Sequence, residues 1–219
     1  MKPGSTLQIE PRWPVALTIM GVMWLLRVLP DRIRFFPVWI QFIFGMMLLA
    51  SMLAVRLMDA RPRWLRIEYI VLLVFCSVTG VLTLANLIYL IRVMIYRSTE
   101  LGGLQLFTSS IGVWITNVLT FSLLYWRFDL GGPEERVHLR RTRPDWLFPQ
   151  EQLSEEQWSN WKPTYVDYLF LAFTTATAFS PTDTLPLTTR AKLVMMLEIA
   201  ISLMTLVVVA ARAINILGT

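Results

Sequence analysis

The chain has 219 residues, of which 55% are hydrophobic and only 16% charged, and its mean hydropathy is +0.55. Soluble domains carry about a quarter of their residues as charges, so the composition excludes an ordinary soluble domain and, at this length, predicts one membrane domain. The net charge of +5 does not point to nucleic acid, because the arginines gather at the ends of apolar runs rather than in the basic stripe that such binding needs.

Five apolar stretches are candidate spans, since a helix needs about 20 apolar residues to cross the hydrocarbon core. Residues 13–29 form the shortest, with Pro14 suited to a first helical turn and Arg27 near the end. Residues 36–55, 69–91 and 101–126 are uncharged, and 193–211 are interrupted only by Glu198. Trp13, Tyr69, Tyr125 and Trp126 stand at run ends, where interfacial aromatics are expected. The links at 30–34, 56–68 and 92–100 are short and basic. Residues 127–163 differ: Gly131, Gly132, Pro133, Pro144, Pro149 and Pro163 mix with charges of both signs, which predicts a solvated polar loop with a helical turn at 154–157. Residues 1–126 then form a four-helix region, and 164–219 a C-terminal module. The polar stretch 1–12 and the apolar run behind it do not have the form of a signal peptide.

The C-terminal module carries the functional signal. Residues 168–182 are uncharged but too short to span. Their second half is rich in hydroxyls (Thr174, Thr175, Thr177, Ser180, Thr182), and Asp183 and Pro186 follow. Thr188 and Thr189 are placed to cap the last helix at Arg190. The order is a half-helix, a Ser-Pro turn, a polar extended piece and a full span. Irregular backbone at membrane depth is tolerated only where it is packed in protein or lines a wet cavity, and this order is the general construction of an ion-channel pore loop. Hydroxyls and carbonyls there replace an ion's water, and Asp183 would add a charge at one mouth. The competing reading is an interfacial helix followed by a turn that caps the last span.

Two resemblances follow from these residues. The run Thr177-Ala178-Phe179-Ser180-Pro181-Thr182-Asp183-Thr184-Leu185-Pro186-Leu187-Thr188 resembles the pore signature of the potassium-channel superfamily. There, hydroxyl residues lead into Val-Gly-Tyr-Gly-Asp, two residues, Pro, one residue and Thr. Asp183, Pro186 and Thr188 fall in register, and Asp167-Tyr168-Leu169-Phe170 resembles the start of a pore helix. Ser180 and Thr182 stand where that family has its filter glycines, and Pro181 where it has Tyr. Glycine permits the backbone angles that aim carbonyls at the ion, and Pro fixes φ near −65°, so the resemblance implies a pore loop without the standard potassium filter. Five spans with a long loop before the last, together with residues 114–125, Asp145-Trp146-Leu147-Phe148-Pro149, Tyr168, Phe173-Thr174, Ala178-Phe179 and Asp183, are similar to an uncharacterised family of bacterial multi-pass membrane proteins. That resemblance implies the inner membrane and this architecture, and no activity.

The fold expected is therefore all-α: about five transmembrane helices with a re-entrant half-helix before the last. Glu198 is the one acid inside a span, and an intramembrane carboxylate is a functional candidate. The partners expected for it are Arg27, Arg92, Arg212 or the hydroxyls of the re-entrant segment, and without a basic partner it is a candidate proton carrier. Asn86 and Asn117 are expected to bond between helices. Arg136, Arg140, Arg141 and Arg143 read as a solvated or lipid-facing cluster. A single Cys76 and a single His138 provide no zinc set, and no nucleophile elbow, zinc-protease pair or phosphate loop is present, so neither an enzyme nor a cofactor is expected. The function expected is a pore-loop channel or channel-like protein for small cations, with a homo-oligomer, fourfold by analogy, enclosing the pore. The alternatives are a non-conducting structural or regulatory subunit and a proton-linked transporter using Glu198. The four arginines of 56–66 favour a cytoplasmic N-terminus, whereas a potassium-channel-like orientation would reverse it.

Overall fold

The computed structural model describes residues 11–28, 38–57, 62–96, 103–133, 136, 144–152, 161–180 and 183–217. Six helices dominate: α1 (Trp13–Val28), α2 (Val38–Leu57), α3 (Pro62–Tyr96), α4 (Gly103–Phe128), α5 (Tyr165–Ala178) and α6 (Thr189–Leu217). Two residue pairs, β1 (Trp146–Leu147) and β2 (Leu185–Pro186), form an antiparallel ladder with Trp146 opposite Pro186. Four stretches are long and apolar enough to cross a membrane: Trp39–Leu57, Arg63–Arg92, Phe107–Gly131 and Thr189–Ala211. That is the mark of a multi-pass membrane protein. At 16 residues, α1 is about 24 Å long and shorter than these.

The central helix is α4, which packs against α1, α3, α5 and α6, while α2 packs against α1 and α3. The reason lies in its small polar side chains. Ser109, Ser110, Thr116, Asn117, Thr120 and Ser122 are all buried. Several of their hydroxyls bond back to the helix itself, Thr116 to Gly112 O at 2.8 Å and Thr120 to Thr116 O at 2.7 Å. Small side chains whose hydrogen bonds are satisfied within their own helix let neighbouring backbones approach closely. Gly21 of α1 meets Leu119 in the same way.

Cross-helix contacts fix the directions. Arg127 at the end of α4 stacks on Tyr69 near the start of α3, and the Cys76 thiol donates to Thr120 O at 3.9 Å, so α3 runs antiparallel to α4. Arg12 pairs with Glu68, which places the start of α1 beside the start of α3. The beginning of α1, the beginning of α3 and the end of α4 thus share one end of the bundle, called below the Asp129 end.

Two expectations are corrected. The helix predicted over 69–91 runs from Pro62 to Tyr96, because its early charges are accommodated: Glu68 is buried in the pair with Arg12. The segment 127–163 is not a solvated loop where it is described. Asp129, Arg136, Asp145, Trp146 and Phe148 are buried, their charges matched by partners described below. Arg136 therefore leaves the expected solvated arginine cluster. Arg140, Arg141, Arg143 and the turn predicted at 154–157 lie outside the described residues.

Candidate functional site

The half-helix α5 starts at Tyr165, three residues earlier than the apolar run suggested. Asp167 sets that start, its carboxylate accepting from the Thr164 backbone N–H at 2.7 Å and the Thr164 hydroxyl at 2.8 Å. Tyr165 OH lies 2.6 Å from Ser122 Oγ, Tyr168 OH donates to Asp129 Oδ2 at 2.7 Å, and the Phe173 ring meets Trp114 edge-on at 5.9 Å. Tyr165 thus meets the last third of α4, at Ser122 and Trp126, and Phe173 meets its middle, at Trp114, so α5 is antiparallel to α4. The same holds for α6: Arg190 donates to Phe128 O at 2.9 Å, and Asn117 donates to Ser202 Oγ at 2.9 Å. Both α5 and α6 therefore start at the Asp129 end.

That shared start determines the path between them. Fourteen residues carry α5 about 20 Å away from the Asp129 end. The helix stops at Phe179, which takes the left-handed conformation with φ 57°. By Leu185 the chain is back at the Asp129 end, because β2 is paired with β1 and the Asp145 and Trp146 amides donate to Asp129 Oδ1 at 2.8 and 3.4 Å.

Two buried aspartates hold this end together. Asp129 accepts from Tyr168 OH and the two β1 amides, while Arg136 donates to Trp126 O at 2.9 Å and Asp129 O at 3.1 Å and lies over the rings of Trp126 and Tyr168. Asp145 seats α6: its carboxylate accepts from Thr188 OH and pairs with Arg190, and its carbonyl accepts from Leu187 N at 2.8 Å. Thr188 Oγ1 in turn accepts from Ala191 N at 3.2 Å, so the capping expected of Thr188 is present. Thr188→Ala is expected to destabilise the protein by about 1 kcal/mol, read as a fall in the midpoint of detergent denaturation. A larger loss is expected for Gly132→Ala. Gly132 has φ 103°, and an added Cβ would lie 2.2 Å from Arg127 Nη1. The backbone strain is about 1–3 kcal/mol, before the arginine is displaced from Tyr69.

The predicted pore residues lie together on the outside of the subunit. Thr177, Ala178, Phe179 and Ser180 are exposed in sequence, and so is Asp183. Pro181 and Thr182 are outside the described residues. The Thr177 hydroxyl donates to Phe173 O at 2.6 Å, which leaves its oxygen able to act only as an acceptor. Val166, Phe170 and Phe173 form an exposed stripe leading to Thr177.

Glu198 is not brought to this segment. It is fully buried between α6 and α4, and its partner is none of those expected: Tyr125 OH donates to Oε2. Tyr125, read from the sequence as an interfacial aromatic, is fully buried, as is Trp146, whose ring centroid lies 4.8 Å from that of Tyr125. Asn117 bonds between helices as expected, to Ser202 Oγ and to Glu198 O at 3.4 Å. Sequence reasoning missed Asp129, Tyr125, Asp145 and Arg190 as structural centres. The available signal was an acid directly after an apolar run, and Asp-Trp inside a segment otherwise rich in breakers. No protein-family profile, curated protein or solved structure matches the chain.

Proposed function

We propose that the chain is one subunit of a homo-oligomeric pore-loop ion channel, or channel-like membrane protein, for small cations. The observation that carries this reading is the shared start of α5 and α6, with a hydroxyl-bearing segment exposed at the far end of α5. In this reading α5 is a re-entrant half-helix, α1 is a fifth span, and residues 177–183 line the narrow part with Asp183 at its mouth. Exposed hydroxyls at hydrocarbon depth are unfavourable against lipid, so the segment faces water or another copy. A ring of copies, fourfold by analogy, brings the segments around one axis. With its hydrogen committed to Phe173 O, the Thr177 hydroxyl can only accept, which suits a cation rather than an anion. Residence in a bacterial inner membrane, as the second family resemblance implies, belongs to the same proposal, with the N-terminus inside on the charge rule.

The test is ion flux into liposomes containing the purified protein, with potassium, sodium, chloride and proton gradients applied separately. Cation flux is expected in the native protein. A unit charge about 4 Å from the ion path is worth about 1 kcal/mol in water-like surroundings, so Asp183→Asn is expected to lower cation flux roughly fivefold. Thr177→Ala is expected to change selectivity among cations. Well-folded oligomer that passes no ion under any gradient would transfer the assignment to a structural or regulatory subunit.

A further inference from the structure

The geometry points to a second site, enclosed within each subunit and separate from the exposed pore segment: the Glu198 carboxyl binds a small univalent cation, a proton or an alkali ion, admitted past Trp146. Glu198 is 0% exposed. Its Oε2 is occupied by the Tyr125 hydroxyl, whereas Oε1 is buried and has no hydrogen-bond partner among the described residues. A carboxylate enclosed with a single neutral donor is strongly disfavoured unless a positive charge joins it. Among the described residues the neighbouring elements do not supply one. From α4 the group facing Glu198 is Tyr125. From α3, Cys76 is bonded to Thr120 O. From α5 come Tyr165, bonded to Ser122, and Tyr168, bonded to Asp129. Asp145 and Arg190, beside the strand pair, are committed to each other.

A second observation lies along the same seam. The Cys76–Thr120 contact sets the register of α3 against α4, and three residues from each lie Thr79 and Asn117. Thr79 is therefore level with Asn117, which touches Glu198 and Ser202. The hydroxyls of Thr79 and Thr83 are buried and lack hydrogen-bond partners among the described residues, as Glu198 Oε1 does. Buried polar atoms left open in a folded core mark places that water or an ion completes. Carboxylate and hydroxyl oxygens are the ligands that small hard cations take.

Trp146 is placed as the closure. Its ring packs on Tyr125, and its indole N–H donates to Met195 Sδ at 3.3 Å, one turn before Glu198 on α6. It stands between the Asp129 end and the Tyr125–Glu198 pair, held there by the β1 amides on Asp129.

Infrared difference spectroscopy on the full-length protein in lipid vesicles tests this, with pH steps at fixed salt and additions of sodium, potassium or lithium at fixed pH. The expected result is a carboxyl carbonyl signal that is lost in Glu198→Gln and shifted in Tyr125→Phe. A response to pH alone identifies the proton, and a response to one alkali ion at fixed pH identifies that ion. Trp146→Ala is expected to speed the response without removing it. Absence of any signal that depends on Glu198, under pH or salt, in both the native protein and Trp146→Ala, overturns the inference and makes Glu198 a fixed structural acid. Should Glu198→Gln not fold, the Tyr125→Phe shift still assigns the band. Ion flux through the pore segment is read separately, so the two proposals fail independently.

Discussion

Asp129→Ala is expected to destabilise the protein by about 3–5 kcal/mol, since a buried donor left without its acceptor costs about 1–3 kcal/mol. The loss is large because several groups lose their acceptor together. Tyr168 OH and the amides of Asp145 and Trp146 all donate to this carboxylate, and each is left unsatisfied in a buried place. Arg136 suffers too. It is buried beside Asp129 with its guanidinium over Trp126 and Tyr168, and it loses the attraction of a nearby carboxylate. Asp129→Asn keeps the size and one acceptor oxygen, so it is expected to lose less than the alanine variant. The measurement is a denaturation midpoint in mild detergent for the three proteins. Equal stability of native and alanine variants would show that this carboxylate does not hold the end of the bundle.

Trp146→Ala is expected to cost a similar amount, about 3–5 kcal/mol, the range for deleting a large buried aromatic. The ring is 0% exposed and touches Tyr125. Its indole N–H bond to Met195 Sδ is lost as well. The two substitutions should not add. Asp129 holds the Trp146 backbone, so removing the aspartate already loosens the indole, and residues sharing one network couple by about 0.5–3 kcal/mol. A double variant as unstable as the sum of the two singles would mean that β1 is held by contacts other than these.

Much of the helical plan was legible, because a span must be apolar over its whole length and such runs stand out. The ends were less so. Arg63, Arg66 and Glu68 made the start of α3 look like a link, yet the Glu68 charge is answered by Arg12 of α1, a partner 56 residues away. The same long range hid the Asp129 end. Glycines, prolines and charges between 127 and 163 read locally as a solvated loop, and only contacts from residues 145, 146 and 168 make the burial of Asp129 intelligible. Tyr125 was misread for a related reason: an aromatic near the end of a run looks interfacial until a buried acid on another helix needs its hydroxyl. The Thr188 cap was legible because capping is local. A short helix, a polar piece and a long apolar helix were legible in that order in the C-terminal part, while the exposure of residues 177–180 follows only from how α5 packs.

The Trp146–Met195 contact also sets an order of events in synthesis. The two residues are 49 positions apart. At roughly 5–20 residues per second, Trp146 leaves the ribosome about 2–10 s before the thioether that receives its indole. At the start of that interval α4 is already made, while α5, β2 and the Arg190 that pairs with Asp145 are still to come. The indole and both aspartates must wait in contact with water or the translocation machinery. The closure over Glu198 is thus among the last contacts to form: Met195 and Glu198 arrive together on α6, and until then Trp146 has neither its acceptor nor the acid it covers.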